Sequence, residues 1–153
     1  LKWLQTEITS QIHDISNGEY SSKVAISRED VQRRMIENKR EYRDLLKSRG
    51  FEFYQLAKMS FKEQVKLFSN AECVIGPHGM GFTNLVFSDG CDVIEIFGDN
   101  YIKPSYYILS TILGHEYRFI IGEQDPIQGR DGNIHIDIDE LSDSIDGQKS
   151  RVE

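Results

Sequence analysis

The sequence predicts an α/β fold: three layers, with a mainly parallel sheet of five or six strands and helices on both faces. Three observations predict it. Short apolar runs alternate five times with segments of helical spacing. The central runs "CVI" (73–75) and "DVIEIF" (92–97) are apolar on both sides, as strands covered by two helical layers must be. The chain has 153 residues and is 39% hydrophobic, enough for one domain with a core of its own.

The elements follow in order. In "WLQTEITSQIHDI" (3–15), Leu4, Ile8, Ile12 and Ile15 recur at helical spacing, and "SNGEYSS" (16–22) breaks the pattern. "KVAIS" (23–27) is the first strand. "SRED" (27–30) fits a capping box, with Ser27 as cap and Asp30 three residues on. A long helix is expected from there, with Val31, Met35, Tyr42, Leu45 and Leu46 as its stripe and Gly50 as its stop. "FEFYQL" (51–56) is the second strand. Ser60 and Glu63 repeat the capping box ahead of "SFKEQVKLFSNA", where Phe61, Val65 and Phe68 form the apolar face. "CVI" follows, then a glycine-rich turn and a short helix over 82–88. "DVIEIF" is the fourth strand, "YYILSTILG" (106–114) a helix and "YRFII" (117–121) the fifth strand. "NIHIDID" (133–139) alternates like an edge strand, and "DELSDSI" (139–145) closes the domain as a helix. The expected organisation is an N-terminal helix and linker over 1–22, one Rossmann-type domain over 23–146 and a tail over 147–153. A first residue of Leu rather than Met marks the chain as an expected piece of something longer.

Charge and cysteine content exclude several classes. The formal net charge is -7, and nine acidic against three basic residues in 123–153 account for most of it. An acidic surface argues against non-specific nucleic-acid binding, but it leaves room for a local basic site. Cys73 and Cys91 sit in or beside apolar runs, without metal spacing or a disulfide framework. No run approaches the ~20 apolar residues of a membrane span, and no signal peptide or N-x-S/T sequon occurs. These absences predict a cytosolic, bacterial setting, or the lumen of the endoplasmic reticulum or Golgi if the source is eukaryotic.

Ligands of doubly wound sheets gather outside the carboxyl ends of the strands, and four features fall there. The first is "VIGPHGMGFTN" (74–84). Gly79 and Gly81 permit a tight turn and close approach to a ligand, a helix start supplies N–H groups, and Thr83 and Asn84 add donors. Neither the dinucleotide fingerprint nor a P-loop is present, so a phosphate cradle and a purely structural turn both remain open. The second is Arg28, just past the first strand. The third is Arg34 with Asn38, which a helical wheel from Val31 turns towards the sheet while Arg33 points away. The fourth is Glu95, a carboxylate within an apolar strand, which needs a partner: a ribose hydroxyl, a backbone group or an arginine. His78 can donate to a diphosphate, act as acid or base, or hold the loop. His13, His115 and His135 are too scattered for a metal, and "DID" (137–139) fits an edge strand better than a cation site.

"ISREDVQRRMIENK" (26–39), "SFKEQVKLFSNAECVIGPHGMGFTNLVF" (60–87) and "VIEIF" (93–97) resemble glycosyltransferase family 61. That family includes bacterial capsular-polysaccharide transferases, protein O-linked GlcNAc transferases and plant xylosyl or arabinosyl transferases. Its pattern runs R-R-x-I-x-N-E, S-F-x-E-Q and G-x-H-G-A-G-L-T-N. Arg34, Ile36 and Asn38 match the first part; Lys39 replaces Glu, Met80 replaces Ala and Phe82 replaces Leu.

The resemblance implies one half of a GT-B-type enzyme, the half that binds the nucleotide-sugar donor, with UDP the expected nucleotide. The diphosphate would meet Arg28, Arg34, His78, Gly79, Gly81, Thr83 and Asn84. Glu95, Ser60 and Gln64 would serve the ribose and base. The reaction is expected to be inverting, with no metal and no cofactor beyond the donor. The glycan acceptor and the catalytic base are expected on a missing domain, so this chain alone would bind donor without transferring sugar. The alternative is a non-catalytic nucleotide-binding or interaction domain of the same type.

Overall fold

Central strands of this chain have side chains that cannot be left in water on either side, and two helical layers cover them. The structure, a computed structural model, describes residues 2–11, 20–29 and 32–147. Helix α1 spans Lys2–Gln11, and Ile12, His13 and Ile15 of the predicted helix lie outside the described residues, as do Asp30, Val31 and the tail from 148. Strands β1 (Lys23–Ile26), β2 (Glu52–Tyr54), β3 (Cys73–Pro77), β4 (Asp92–Gly98) and β5 (Glu116–Gln124) pair in parallel, and β6 (Ile134–His135) joins β5 antiparallel. The strand order is β2-β1-β3-β4-β5-β6, and it reverses direction between β1 and β3.

Alternation along each strand makes two cores. Val24 and Ile26, Val74 and Val93 point to one face, where they meet Val65, Leu67 and Phe68 of α3 (Phe61–Ser69), Phe82 and Leu85 of a 3-10 helix (Met80–Phe87), and Leu113 of α4 (Ser105–Leu113). Ala25, Ile75, Ile94, Ile96 and Ile120 point to the other, under Tyr42 and Leu46 of α2 (Lys39–Ser48) and Leu141 of α5 (Ile138–Ile145). Burial fixes the register, because a slip of one residue would exchange the two faces.

Local chemistry ends the helices as expected. Ser60 Oγ accepts from the Glu63 N–H at 3.3 Å and Glu63 Oε2 accepts from the Ser60 N–H at 2.7 Å, a complete capping box. Gly50, at φ 83°, stops α2 in the left-handed region that side chains avoid. Both cysteines are free thiols, and burial pushes Cys73 up to about 11 and Cys91 up to about 12.

Three expectations differ from the structure, the first for a tertiary reason. The helix predicted from Ser27 begins only at Lys39. Before it, Ile36 makes a parallel bridge to Ile134, and the Met35 N–H donates to Asn133 Oδ1. Partners almost a hundred residues away thus take backbone groups that a helix would have used. "DID" heads a helix rather than lying in an edge strand: Asp137 accepts from the N–H groups of Asp139 and Glu140 at 2.9 and 3.1 Å, as the cap of α5. The turn after β3 winds as a 3-10 helix from Met80, not as a helix from residue 82.

Candidate functional site

β3 and β1 end side by side at the point where the strand order reverses, and the segments leaving them diverge around a cleft. The cleft measures about 500 Å³ and is lined by Arg28, Arg34, His78, Gly79, Gly81, Tyr101 and Tyr106 among others. Another cleft, of about 600 Å³, is lined by Glu41, Glu123, Asp137 and Glu140 and has the wrong sign for a phosphate.

His78 is placed by ladder geometry. Its N–H donates to the Ile96 carbonyl at 2.8 Å, which carries the β3–β4 pairing one residue past the strand. The imidazole therefore falls on the face that holds Glu95. Its Nδ1 lies 2.5 Å from Glu95 Oε1, and the Tyr117 hydroxyl donates to Glu95 Oε2 at 2.6 Å. Glu95 is 0% exposed. Burial, then the hydrogen bond and charge of Glu95, push the Tyr117 phenol up, so it stays a donor. Phe97 stacks on the His78 ring at 5.1 Å, with Tyr101 and Tyr106 each at 5.5 Å. Nδ1 is occupied; Nε2 has no hydrogen-bond partner among the described residues.

Three arginines line the cleft: Arg33, expected to point away, stands exposed at its edge 3.7 Å from Asp131, while Arg28 and Arg34 reach it by different routes. Arg28 donates from Nη1 to the His78 carbonyl at 2.6 Å. A Cβ on Gly79 would stand 2.1 Å from that Nη1, so residue 79 is glycine to leave room for the arginine. Arg34 takes a left-handed backbone, φ 53°, unusual for a side chain of its size. Its N–H donates to the Asp131 carbonyl at 3.1 Å, and its guanidinium lies 5.1 Å from the Tyr101 ring centroid. Arg34 Nε is buried with no hydrogen-bond partner. A buried donor left unmatched costs about 1–3 kcal/mol, which an anionic acceptor in the cleft would recover.

The expected site residues thus divide. Arg28, Arg34, His78, Gly79 and Gly81 converge on one cleft. Thr83 stands exposed at its rim, 3.5 Å from the Tyr106 hydroxyl. Gly81 is spent on packing, since a Cβ there would press Leu56 Cδ1 at 2.9 Å. Ser60 is occupied in the capping box of α3. Asn84 donates to Gln64 Oε1 at 2.9 Å, and Gln64 donates to the carbonyls of Leu56 and Met59 at 3.0 and 3.1 Å, so this pair ties the loop after β2 to the 3-10 helix. The ribose role expected of Glu95 does not fit its position: both oxygens are held inside the protein. Asn38 does not face the sheet from a helix either; it pairs with the N–H and C=O of Ile136.

Sequence reasoning missed Tyr101, Tyr106 and Tyr117. A signal existed for the last. Tyr117 opens the strand that follows the one holding Glu95, and the register Val93↔Tyr117 and Glu95↔Phe119 puts it on the face of the buried carboxylate. Among the described residues no group of three His, Cys, Asp or Glu is arranged to hold a metal ion, and no helix is long and apolar enough to cross a membrane.

Comparison with known proteins agrees with the motifs. Residues 4–94 match the family model for glycosyltransferase 61. Over 92 residues, 60% of this chain, the sequence is 33% identical to beta-1,2-xylosyltransferase RCN11 of Oryza sativa subsp. japonica. Over 63 residues, 40% of the chain, it is 33% identical to a beta-1,2-xylosyltransferase of Arabidopsis thaliana. The chain covers 16% and 12% of those two proteins. With the match spanning more than half of its length, from α1 through the cleft-forming turns to Ile94 in β4, this chain belongs to glycosyltransferase family 61.

Proposed function

We propose that this chain binds the nucleotide-sugar donor of a glycosyltransferase, with the diphosphate in the cleft between Arg28, Arg34 and His78. One observation carries the reading: two guanidinium groups and an imidazole, from three separate stretches of chain, meet at the carboxyl edge where the strand order reverses. The orphaned Nε of Arg34 points to the same ligand class. Tyr101 and Tyr106 add flat surfaces beside the anion site. Arginine donors stabilise a departing diphosphate without a metal, which fits a metal-independent transfer; an inverting outcome and a GT-B arrangement follow from the family resemblance. The relatives are xylosyltransferases and UDP is the expected nucleotide, so UDP-xylose is the first donor to try, and their plant origin favours the luminal option over a bacterial cytosol. The acceptor glycan and the base that activates it belong to the remainder of such an enzyme, so donor binding without transfer is expected here.

Calorimetric titration with UDP, GDP and CMP tests the reading. Preferential UDP or GDP binding that weakens with salt is expected. Equal silence from all three would leave a family member whose cleft is empty of function, the interaction-domain alternative.

A further inference from the structure

We propose that donor binding in this cleft takes up a proton, held by the His78–Glu95 pair. The inference rests on the donor reading above and adds a protonation requirement to it.

The argument counts protons on the pair. Glu95 Oε1 and His78 Nδ1 are 2.5 Å apart, so one proton lies between them whichever atom owns it. With that single proton, the imidazole has donated its hydrogen inward and Nε2 carries a lone pair facing the cleft. A lone pair repels a phosphate oxygen. For Nε2 to donate outward, the pair must hold two protons, as imidazolium with carboxylate or as neutral imidazole with carboxylic acid. Anionic phosphate oxygens only accept hydrogen bonds, so a diphosphate selects the two-proton form. Tyr117 cannot substitute: its hydroxyl is committed to the other carboxylate oxygen.

The other charged and titratable groups around His78 in the cleft are Arg28, Arg33, Arg34, Tyr101 and Tyr106, with Lys103 beside Tyr101. Arg28 holds the His78 carbonyl and Arg34 lies over Tyr101, and both guanidinium groups stay charged. Tyr101 and Tyr106 approach by their rings, and Lys103 sits 5.5 Å from the Tyr101 ring centroid. Among these groups, the pair is the one whose proton count decides whether His78 Nε2 can donate.

UDP-xylose is the probe, because the diphosphate of a nucleotide-sugar is a diester and does not itself titrate near neutrality. Its affinity, measured by calorimetry from pH 5.5 to 9 in two buffers of different ionisation enthalpy, should fall about tenfold per pH unit above the pair's own titration. The heat difference between buffers should report uptake approaching one proton. Glu95→Gln should flatten the pH dependence, because the amide can donate to Nδ1 and leave a neutral imidazole with hydrogen on Nε2. Tyr117→Phe should keep the slope, since the carboxylate remains. Binding with equal affinity across the range and no buffer-dependent heat would overturn the inference while leaving the donor reading intact. No binding at any pH would remove both. If Glu95→Gln does not fold, the two-buffer measurement on the unmodified chain still decides.

Discussion

The two faces of the sheet are built by the same strands and are not alike. On the α2–α5 side, Ala25, Ile75, Ile94, Ile96 and Ile120 form an aliphatic core, with Arg118 of β5 paired to Asp92 of β4 at 2.7 Å at its edge. On the α3–α4 side, the same alternation places Glu95 in β4, Tyr117 in β5 and His78 just beyond β3. The aliphatic face anchors the register. The mixed face holds a hydrogen-bonded row that ends at the cleft. Neighbouring residues such as Ile94 and Glu95 are both fully buried, yet one supports the fold and the other supports a site.

Substitutions sharpen this division, beginning with the largest effect. Ile94→Ala should lower stability by about 2–5 kcal/mol in urea unfolding, through lost burial and a cavity, while the folded protein keeps its affinity for UDP. A folded Ile94→Ala variant that no longer binds UDP would erase the distinction between the faces. Arg34→Ala should weaken UDP binding tenfold or more, about 1.5–3 kcal/mol for a lost charged contact, and leave unfolding nearly unchanged. Glu95→Ala should act on both quantities. It strips partners from two buried groups, for about 1–3 kcal/mol of stability, and it frees the imidazole to turn, which titration with UDP would register. Ser60→Ala should cost about 1 kcal/mol by losing the cap of α3, with no change in UDP affinity. A UDP defect in that variant would restore Ser60 to the binding site.

The same contrast explains what the sequence discloses. Strands over 73–75 and 92–97, apolar apart from Asp92 and Glu95, are legible in the composition, because burial on two faces favours apolar residues. The glycine-rich turn after β3 is visible too, and it does border the cleft. The segment 32–38 was not, because what shapes it is Ile134, Asn133 and Ile136, far along the chain. Local spacing favours a helix there and tertiary pairing overrides it. Arg34 was picked out by a helical wheel that does not apply: a left-handed residue, not a helix face, brings it to the cleft. Glycines 79 and 81 signal close approach, but the approaching groups are Arg28 and Leu56, which no single-residue argument names.

Pairing between residues 34–38 and 131–136 also orders events during synthesis. Arg34 leaves the ribosome about a hundred residues ahead of the carbonyl, bridge and amide contacts that position it. The parallel layers around β1 and β3 can assemble from earlier chain, but the cationic corner waits for the last quarter of the polypeptide. Such distant contacts close slowly. Synthesis can therefore bring β1 to β4 together before the second arginine is anchored, because β6 and the contacts of residues 131–136 come last.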